Sequence, residues 1–92
     1  GLIAPATAID NPERIEKTKS ALSQMGYRLI ETASVRPPYG YLAGTDAARA
    51  KELQDMFANP EVDAILVLQG GWGCARLLPL LDYDLIRQNP KI

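Results

Sequence analysis

The sequence predicts an α/β fold, an incomplete doubly wound (flavodoxin-like or Rossmann-like) parallel sheet, from the alternation of strand patterns with helical patterns. Patterns of strand length occupy residues 1–4, 27–31 and 63–68, and helical spacing occurs after each of them. Strands separated by helices in this way pair in parallel through right-handed crossovers. Three strands leave a sheet edge open, so we expect the 92 residues to be the N-terminal part of a larger domain.

The first helix carries signals for both of its ends. Asp10 or Asn11 can cap its N-terminus, the proline that follows suits its first turn, and Gly26 is placed to end it. Its predicted buried face recurs at helical spacing and consists of Ile15, Thr18, Leu22 and Met25. Tyr27–Glu31 then reads as the second strand.

The second helix is predicted to begin at Thr45 or Asp46 and to end at Asn59, because the residue before a proline avoids helical geometry. Its predicted buried stripe consists of Ala50, Leu53 and Phe57. The aliphatic stretch Asp63–Leu68 is typical of a central parallel strand that is covered on both faces. A short helical turn is expected near residues 81–86, and the last three residues indicate the approach to a fourth strand.

Composition excludes several chemistries for this chain. It has no histidine and one cysteine, so it cannot by itself supply a Ser-His-Asp triad, a disulfide or a zinc site of histidines or several cysteines. The formal net charge is −1 with both signs scattered, which predicts no nucleic-acid partner. No apolar run approaches the ~18 residues of a membrane helix. Without a signal-peptide pattern we expect a cytoplasmic location, and we expect no metal and no cofactor.

The most informative motif is the glycine-rich segment Gly70-Gly71-Trp72-Gly73, directly after the aliphatic strand. Glycines there let backbone N–H groups approach a ligand, as in an oxyanion hole or an anion cradle. Ligands of open α/β sheets also bind at the carboxyl ends of strands. A glycine-rich turn that merely starts a helix explains the same residues equally well. The spacing matches neither the dinucleotide fingerprint nor the P-loop.

The residues around this motif each have two interpretations. Trp72 lines a substrate cleft or packs over the end of the sheet, and Arg76 binds a carboxylate or forms a salt bridge with Asp82 or Asp84. Bulky residues flank Cys74 where a nucleophile elbow needs small ones, which favours a packed free thiol. Residues 39–44 form a loop over the site or an ordinary crossover connection.

Five groups of residues, in order over essentially the whole chain, carry a family resemblance. They are Ile3-Ala4-Pro5, Tyr41–Asp46 with Arg49-Ala50, Asn59–Ile65, Gly70–Gly73, and Arg76–Pro79 with Leu81–Asp84. Together they resemble the LD-carboxypeptidases (muramoyltetrapeptide carboxypeptidases). The microcin-immunity peptidases share the same layout, which leaves a microcin-like amide open as the substrate.

The resemblance implies a two-domain serine peptidase that removes terminal D-alanine from murein tetrapeptides in cell-wall recycling. Its triad serine, glutamate and histidine are then expected beyond Ile92, on a nucleophile elbow and in a C-terminal domain. Residues 1–92 would be a partial N-terminal domain, inactive alone and without a catalytic side chain. The resemblance also implies a homodimeric full-length enzyme. It implies that Gly71 is the first choice for the oxyanion-hole donor and Gly70 the second choice. It also implies that the substrate-binding residues are Trp72, Gly73 and Arg76.

Two functions of other classes stay open on the residues alone. One is a non-catalytic flavodoxin-like module that binds a nucleotide or a small anion at Gly70–Gly73. The other is a structural segment that docks onto a partner chain through the open sheet edge. Titration with nucleotides separates the first of these from the peptidase.

Overall fold

The computed structural model, which describes residues 1–5, 11–32, 35 and 45–92, contains a parallel sheet and helices. The elements are β1 (Leu2–Ile3), α1 (Pro12–Gln24), α2 (Asp46–Ala58), β2 (Leu66–Val67), a 3₁₀ helix (Trp72–Leu80) and α3 (Tyr83–Gln88). β1 and β2 pair in parallel. The predicted α/β class with a parallel sheet is therefore confirmed. Asp10 and residues 39–44, on which a cap and a loop were predicted, lie outside the described residues.

Backbone hydrogen bonds extend this sheet on both sides. The N–H of Leu2 donates to the oxygen of Ile30 at 2.7 Å, and the N–H of Thr32 donates to the oxygen of Leu2 at 3.1 Å. On the other side, the N–H of Ile65 donates to the oxygen of Ile92 at 2.8 Å. Numbered along the chain, the four segments lie in the order 2-1-3-4, which is how a flavodoxin-like doubly wound sheet begins.

The second predicted strand, Tyr27–Glu31, is wrong as a strand. It contributes one parallel bridge, between Leu2 and Glu31. β1 is itself only two residues long. Neighbouring residues of a strand bond to opposite sides, and Ile3 accepts from Leu68 on the β2 side. Of the two residues of β1, Leu2 is the one that faces the second segment, through its N–H and its oxygen.

The third predicted strand is also shorter and less covered than expected. Within residues 63–68 only Leu66–Val67 is a strand, and the two residues are 45% and 46% exposed. Because successive side chains of a strand point to opposite faces, neither face of β2 is fully covered by the described residues. The predicted cover on both faces is therefore wrong for this chain.

Helix α1 has both predicted caps. The side chain of Asn11 accepts from the N–H of Glu13 at 3.0 Å. At the other end Gly26 has a φ of 93°, and the N–H of Tyr27 donates to the oxygen of Leu22 at 3.2 Å. This geometry is a Schellman motif, which places a glycine just after the helix.

Most of the predicted buried face of α1 is correct. Ile15 is buried and Leu22 packs against the same cluster. Met25 was wrongly included, since it is 68% exposed. It stands at the C-cap, where the helix ends.

The core consists of two clusters that take alternate residues of β1. One contains Leu2 and Ala4 with Ile15 of α1, and the other contains Ile3 with Met56 of α2. Alternate strand residues point to opposite faces, so α1 and α2 cover different faces of the sheet. This two-sided packing is what makes the fold doubly wound.

Helix α2 begins where the sequence predicted. Thr45 caps it by accepting from the N–H of Ala48 at 3.1 Å. Its buried residues, however, are Arg49, Ala50 and Met56. The predicted stripe was right in Ala50, whereas its two larger members are only partly buried. The buried face is therefore rotated toward a charged residue.

Candidate functional site

The carboxyl ends of β1 and β2 lie side by side at the centre of the four-segment order. From β1 the chain crosses to one side of the sheet, and from β2 it crosses to the other side, so the strand order reverses between them. A crevice forms at such a point in open α/β sheets and is where their ligands bind. The glycine-rich segment Gly70–Gly73 leaves the sheet at this edge.

Gly71 has a backbone conformation that other residues rarely adopt. Its φ is 156° and its ψ is −179°, in a region used almost only by glycine. Its carbonyl oxygen accepts from the N–H of Cys74 at 3.1 Å. The 3₁₀ helix thus begins at Trp72, so the segment contains only two loop glycines and Gly73 lies within the first turn of that helix.

The backbone donors of the two loop glycines are available to a ligand. Within the described part of the chain, no hydrogen bond uses the N–H of Gly70 or Gly71. Both residues are exposed. A Cβ added to Gly70 would meet no atom within 4 Å. Such N–H groups can donate to an oxygen that gains negative charge during a reaction.

Trp72 does not pack over the end of the sheet. It is 88% exposed, the second most exposed of the large hydrophobic residues described. The thiol of Cys74 is free and partly buried, in line with the packed-thiol interpretation. Gly73, which lies between these two residues in the sequence, is buried.

Arg76 forms an ion pair, but not with either predicted partner. Its Nη2 lies 2.9 Å from Oδ2 of Asp46, at the start of α2. Asp82 is occupied as the N-cap of α3, and Asp84 pairs with Arg87 at 3.4 Å. The side chains of Asp82 and Asp84 thus form their contacts with α3 itself, and neither pairs with Arg76.

Arg49 is the site residue that the sequence interpretation missed as a functional group. It is 1% exposed. Its Nη1 donates to the oxygen of Pro5 at 2.5 Å and to the oxygen of Gly73 at 3.1 Å, and its Nη2 contacts Asp46. One signal was present, since an aspartate three residues earlier on a helix lies on the same face.

The described residues contain neither a metal-binding cluster nor a membrane-spanning helix. Nowhere in residues 1–5, 11–32, 35 and 45–92 do three histidine, cysteine, aspartate or glutamate side chains gather as they would around a metal ion. Among the helices described, none has the length and apolarity to cross a membrane.

The comparison with known proteins identifies the family. A family model described as the LD-carboxypeptidase N-terminal domain matches residues 1–92. The chain belongs to the LD-carboxypeptidase family. The predicted resemblance is confirmed, and the exposed glycine segment lies in a chain from a peptidase family.

Two relatives and one solved structure describe this LD-carboxypeptidase chain further. It is 37% identical over 92 residues to the probable murein peptide carboxypeptidase of Bacillus subtilis, covering 100% of this chain and 28% of the relative. It is 40% identical over 86 residues to the murein tetrapeptide carboxypeptidase of Pseudomonas aeruginosa, covering 94% and 28%. The structure of MccF in complex with glutamyl sulfamoyl guanosine superposes with a TM-score of 0.94 at 30% identity, covering 100% and 28%. The LD-carboxypeptidase chain thus spans about 28% of the length of these proteins.

Proposed function

We propose that residues 1–92 belong to a serine-type LD-carboxypeptidase that removes the terminal D-alanine of murein tetrapeptides. The two relatives named as murein peptide carboxypeptidases support this substrate class. One observation carries the proposal: the two unpaired glycine N–H groups lie at the sheet edge where ligands of this fold bind.

The proposed reaction begins with attack of a serine hydroxyl on the carbonyl carbon of the scissile amide. Negative charge then forms on the carbonyl oxygen. The N–H of Gly71 donates to this oxygen, and the N–H of Gly70 is the second-choice donor. One such donor lowers the barrier by about 3–4 kcal/mol. D-Alanine leaves with a proton on its amine, and water hydrolyses the acyl-enzyme. The family resemblance implies that the catalytic serine, glutamate and histidine lie outside residues 1–92, and the chain itself has no histidine.

Three residues next to the glycines are proposed to bind the peptide. The Arg76 side chain is 62% exposed while its Nη2 holds Asp46, so its other donors can reach the carboxylate of the terminal D-alanine. The exposed ring of Trp72 offers an apolar surface to the peptide chain. Buried Gly73 keeps the backbone between them close to the sheet edge.

The test is release of D-alanine from a murein tetrapeptide. We expect release by the full-length protein that contains these residues, and none by a polypeptide of residues 1–92 alone. Release by the short polypeptide would overturn the placement of the triad. We also expect the full-length enzyme to be a cytoplasmic homodimer, which fractionation and sedimentation would check.

A second candidate substrate is the amide of an aminoacyl sulfamoyl nucleoside. It is favoured by the match to MccF, whose structure holds glutamyl sulfamoyl guanosine. Assaying the full-length protein with both substrates separates the two candidates by their kcat/KM values. Nucleotide binding without hydrolysis of either amide would instead support the non-catalytic module, which the family assignment disfavours.

A further inference from the structure

We propose that Arg49 is a positioning residue that holds the glycine segment in the geometry needed for its N–H groups to act as oxyanion donors. This inference rests on the proposed function. The group concerned lies on α2, not on the glycine segment, and it acts through backbone carbonyl groups without touching the substrate.

The Arg49 guanidinium joins two segments that are far apart in the sequence. The same nitrogen, Nη1, donates to the oxygen of Pro5, directly after β1, and to the oxygen of Gly73. It therefore ties the glycine segment to the carboxyl end of the neighbouring strand. The crevice between β1 and β2 is fixed at the point where the strand order reverses.

A second link joins the 3₁₀ helix, which continues from the glycine segment, to α2. Asp46 contacts the Arg49 guanidinium with Oδ1 and accepts from Arg76 with Oδ2 at 2.9 Å. The glycine segment is thus held through the carbonyl of Gly73, and the 3₁₀ helix that continues from it is held through the side chain of Arg76. Asp46 also compensates the charge of Arg49, whose side chain is 0% exposed, as a buried cation requires.

The glycine segment needs such external support because glycine restricts its own backbone so little. Gly70 and Gly71 gain the close approach that an oxyanion donor needs, but they lose more conformational freedom on ordering than other residues do. A donor group misplaced by about 1 Å can lower the rate about 100-fold. The planar guanidinium fixes several acceptors at once, whereas a lysine ammonium is a single flexible point charge.

The test uses the full-length protein and the variant Arg49→Lys, which keeps the charge. We expect kcat for D-alanine release to fall about 10- to 100-fold, with KM changed less than about threefold. Arg87→Lys is the matched control, since Arg87 lies exposed on α3 in an ion pair with Asp84. We expect that control to keep the wild-type kcat. A folded Arg49→Lys variant whose kcat stays within twofold of wild type, or whose loss lies entirely in KM, would overturn the inference.

Asp46→Asn decides the matter if Arg49→Lys does not fold. It keeps the shape of the side chain and removes the charge shared by the two arginines, so we expect a smaller fall in kcat in the same direction. An unchanged kcat in folded Asp46→Asn would overturn the inference.

A readout without substrate separates this inference from the proposed function. In protein labelled with ¹⁵N-glycine, the heteronuclear NOE of Gly70 and Gly71 should fall in Arg49→Lys and stay unchanged in Arg87→Lys. If the wild-type protein releases no D-alanine, the proposed function fails while this NOE still tests the role of Arg49. An unchanged NOE in Arg49→Lys would show that Arg49 does not order the segment.

Discussion

The substitution Gly71→Ala tests the glycine segment at its most constrained residue. At a φ of 156° and a ψ of −179°, a residue with a Cβ is strained by about 1–3 kcal/mol. The variant either retains the geometry and loses that much free energy of unfolding, or it relieves the strain by rotating the backbone. Rotation turns the N–H of Gly71 away from the reacting oxygen, and the loss of one oxyanion donor lowers kcat about 100- to 1,000-fold.

Urea unfolding and steady-state release of D-alanine, both on the full-length protein, measure these two effects. Gly70→Ala is the matched control for stability, because its Cβ would meet nothing within 4 Å and its φ is not positive. We expect the control to unfold within about 0.5 kcal/mol of wild type. The reasoning is refuted if Gly71→Ala keeps both the wild-type unfolding free energy and the wild-type kcat.

Three further predictions concern stability and binding. Gly26→Ala should lower the free energy of unfolding by about 1–2 kcal/mol, because a φ of 93° strains a residue that has a Cβ, even though the space around that Cβ is open. An unchanged urea midpoint would contradict the Schellman assignment. Trp72→Ala should leave that free energy within about 0.5 kcal/mol, since the residue is 88% exposed, but should raise KM for the tetrapeptide; a large loss of stability would contradict its exposure. In a polypeptide that begins at Gly1, burial lowers the pKa of the terminal amino group below 8.0. The positive charge of Lys91 lowers this pKa further, and the negative charge of Asp63 raises it. Between the lowered folded pKa and 8.0 the unfolded chain binds more protons, so stability should rise with pH across that range and be lost as pH falls through the folded pKa. N-terminal acetylation should abolish the dependence, and a urea midpoint that falls over this range would contradict it.

Features set by local chemistry were predictable from the sequence. Asn11 caps α1, Gly26 ends it and Thr45 caps α2, because each of these roles depends on hydrogen bonds within a few residues. The alternation of strands and helices likewise predicted a parallel sheet, because parallel strands need crossover connections.

Features set by distant segments were not predictable. The segment before Thr32 pairs with Leu2 of the two-residue strand β1, and the sequence of the segment itself does not contain that fact. The role of Arg49 depends on Pro5, 44 residues away. A charged residue on a helix is usually solvated, so only the assembled fold shows that this one is buried against two carbonyl oxygens.

The most direct test of the glycine segment is the response of its amides to a tetrahedral analogue of the reaction. The full-length protein, labelled with ¹⁵N-glycine, would be titrated with a murein peptide that carries a phosphonate in place of the scissile carbonyl. We predict that the amide proton of Gly71, or second that of Gly70, shifts downfield on binding while that of Gly26 stays in place. An analogue that binds and inhibits while both loop-glycine amides remain unshifted would contradict the account.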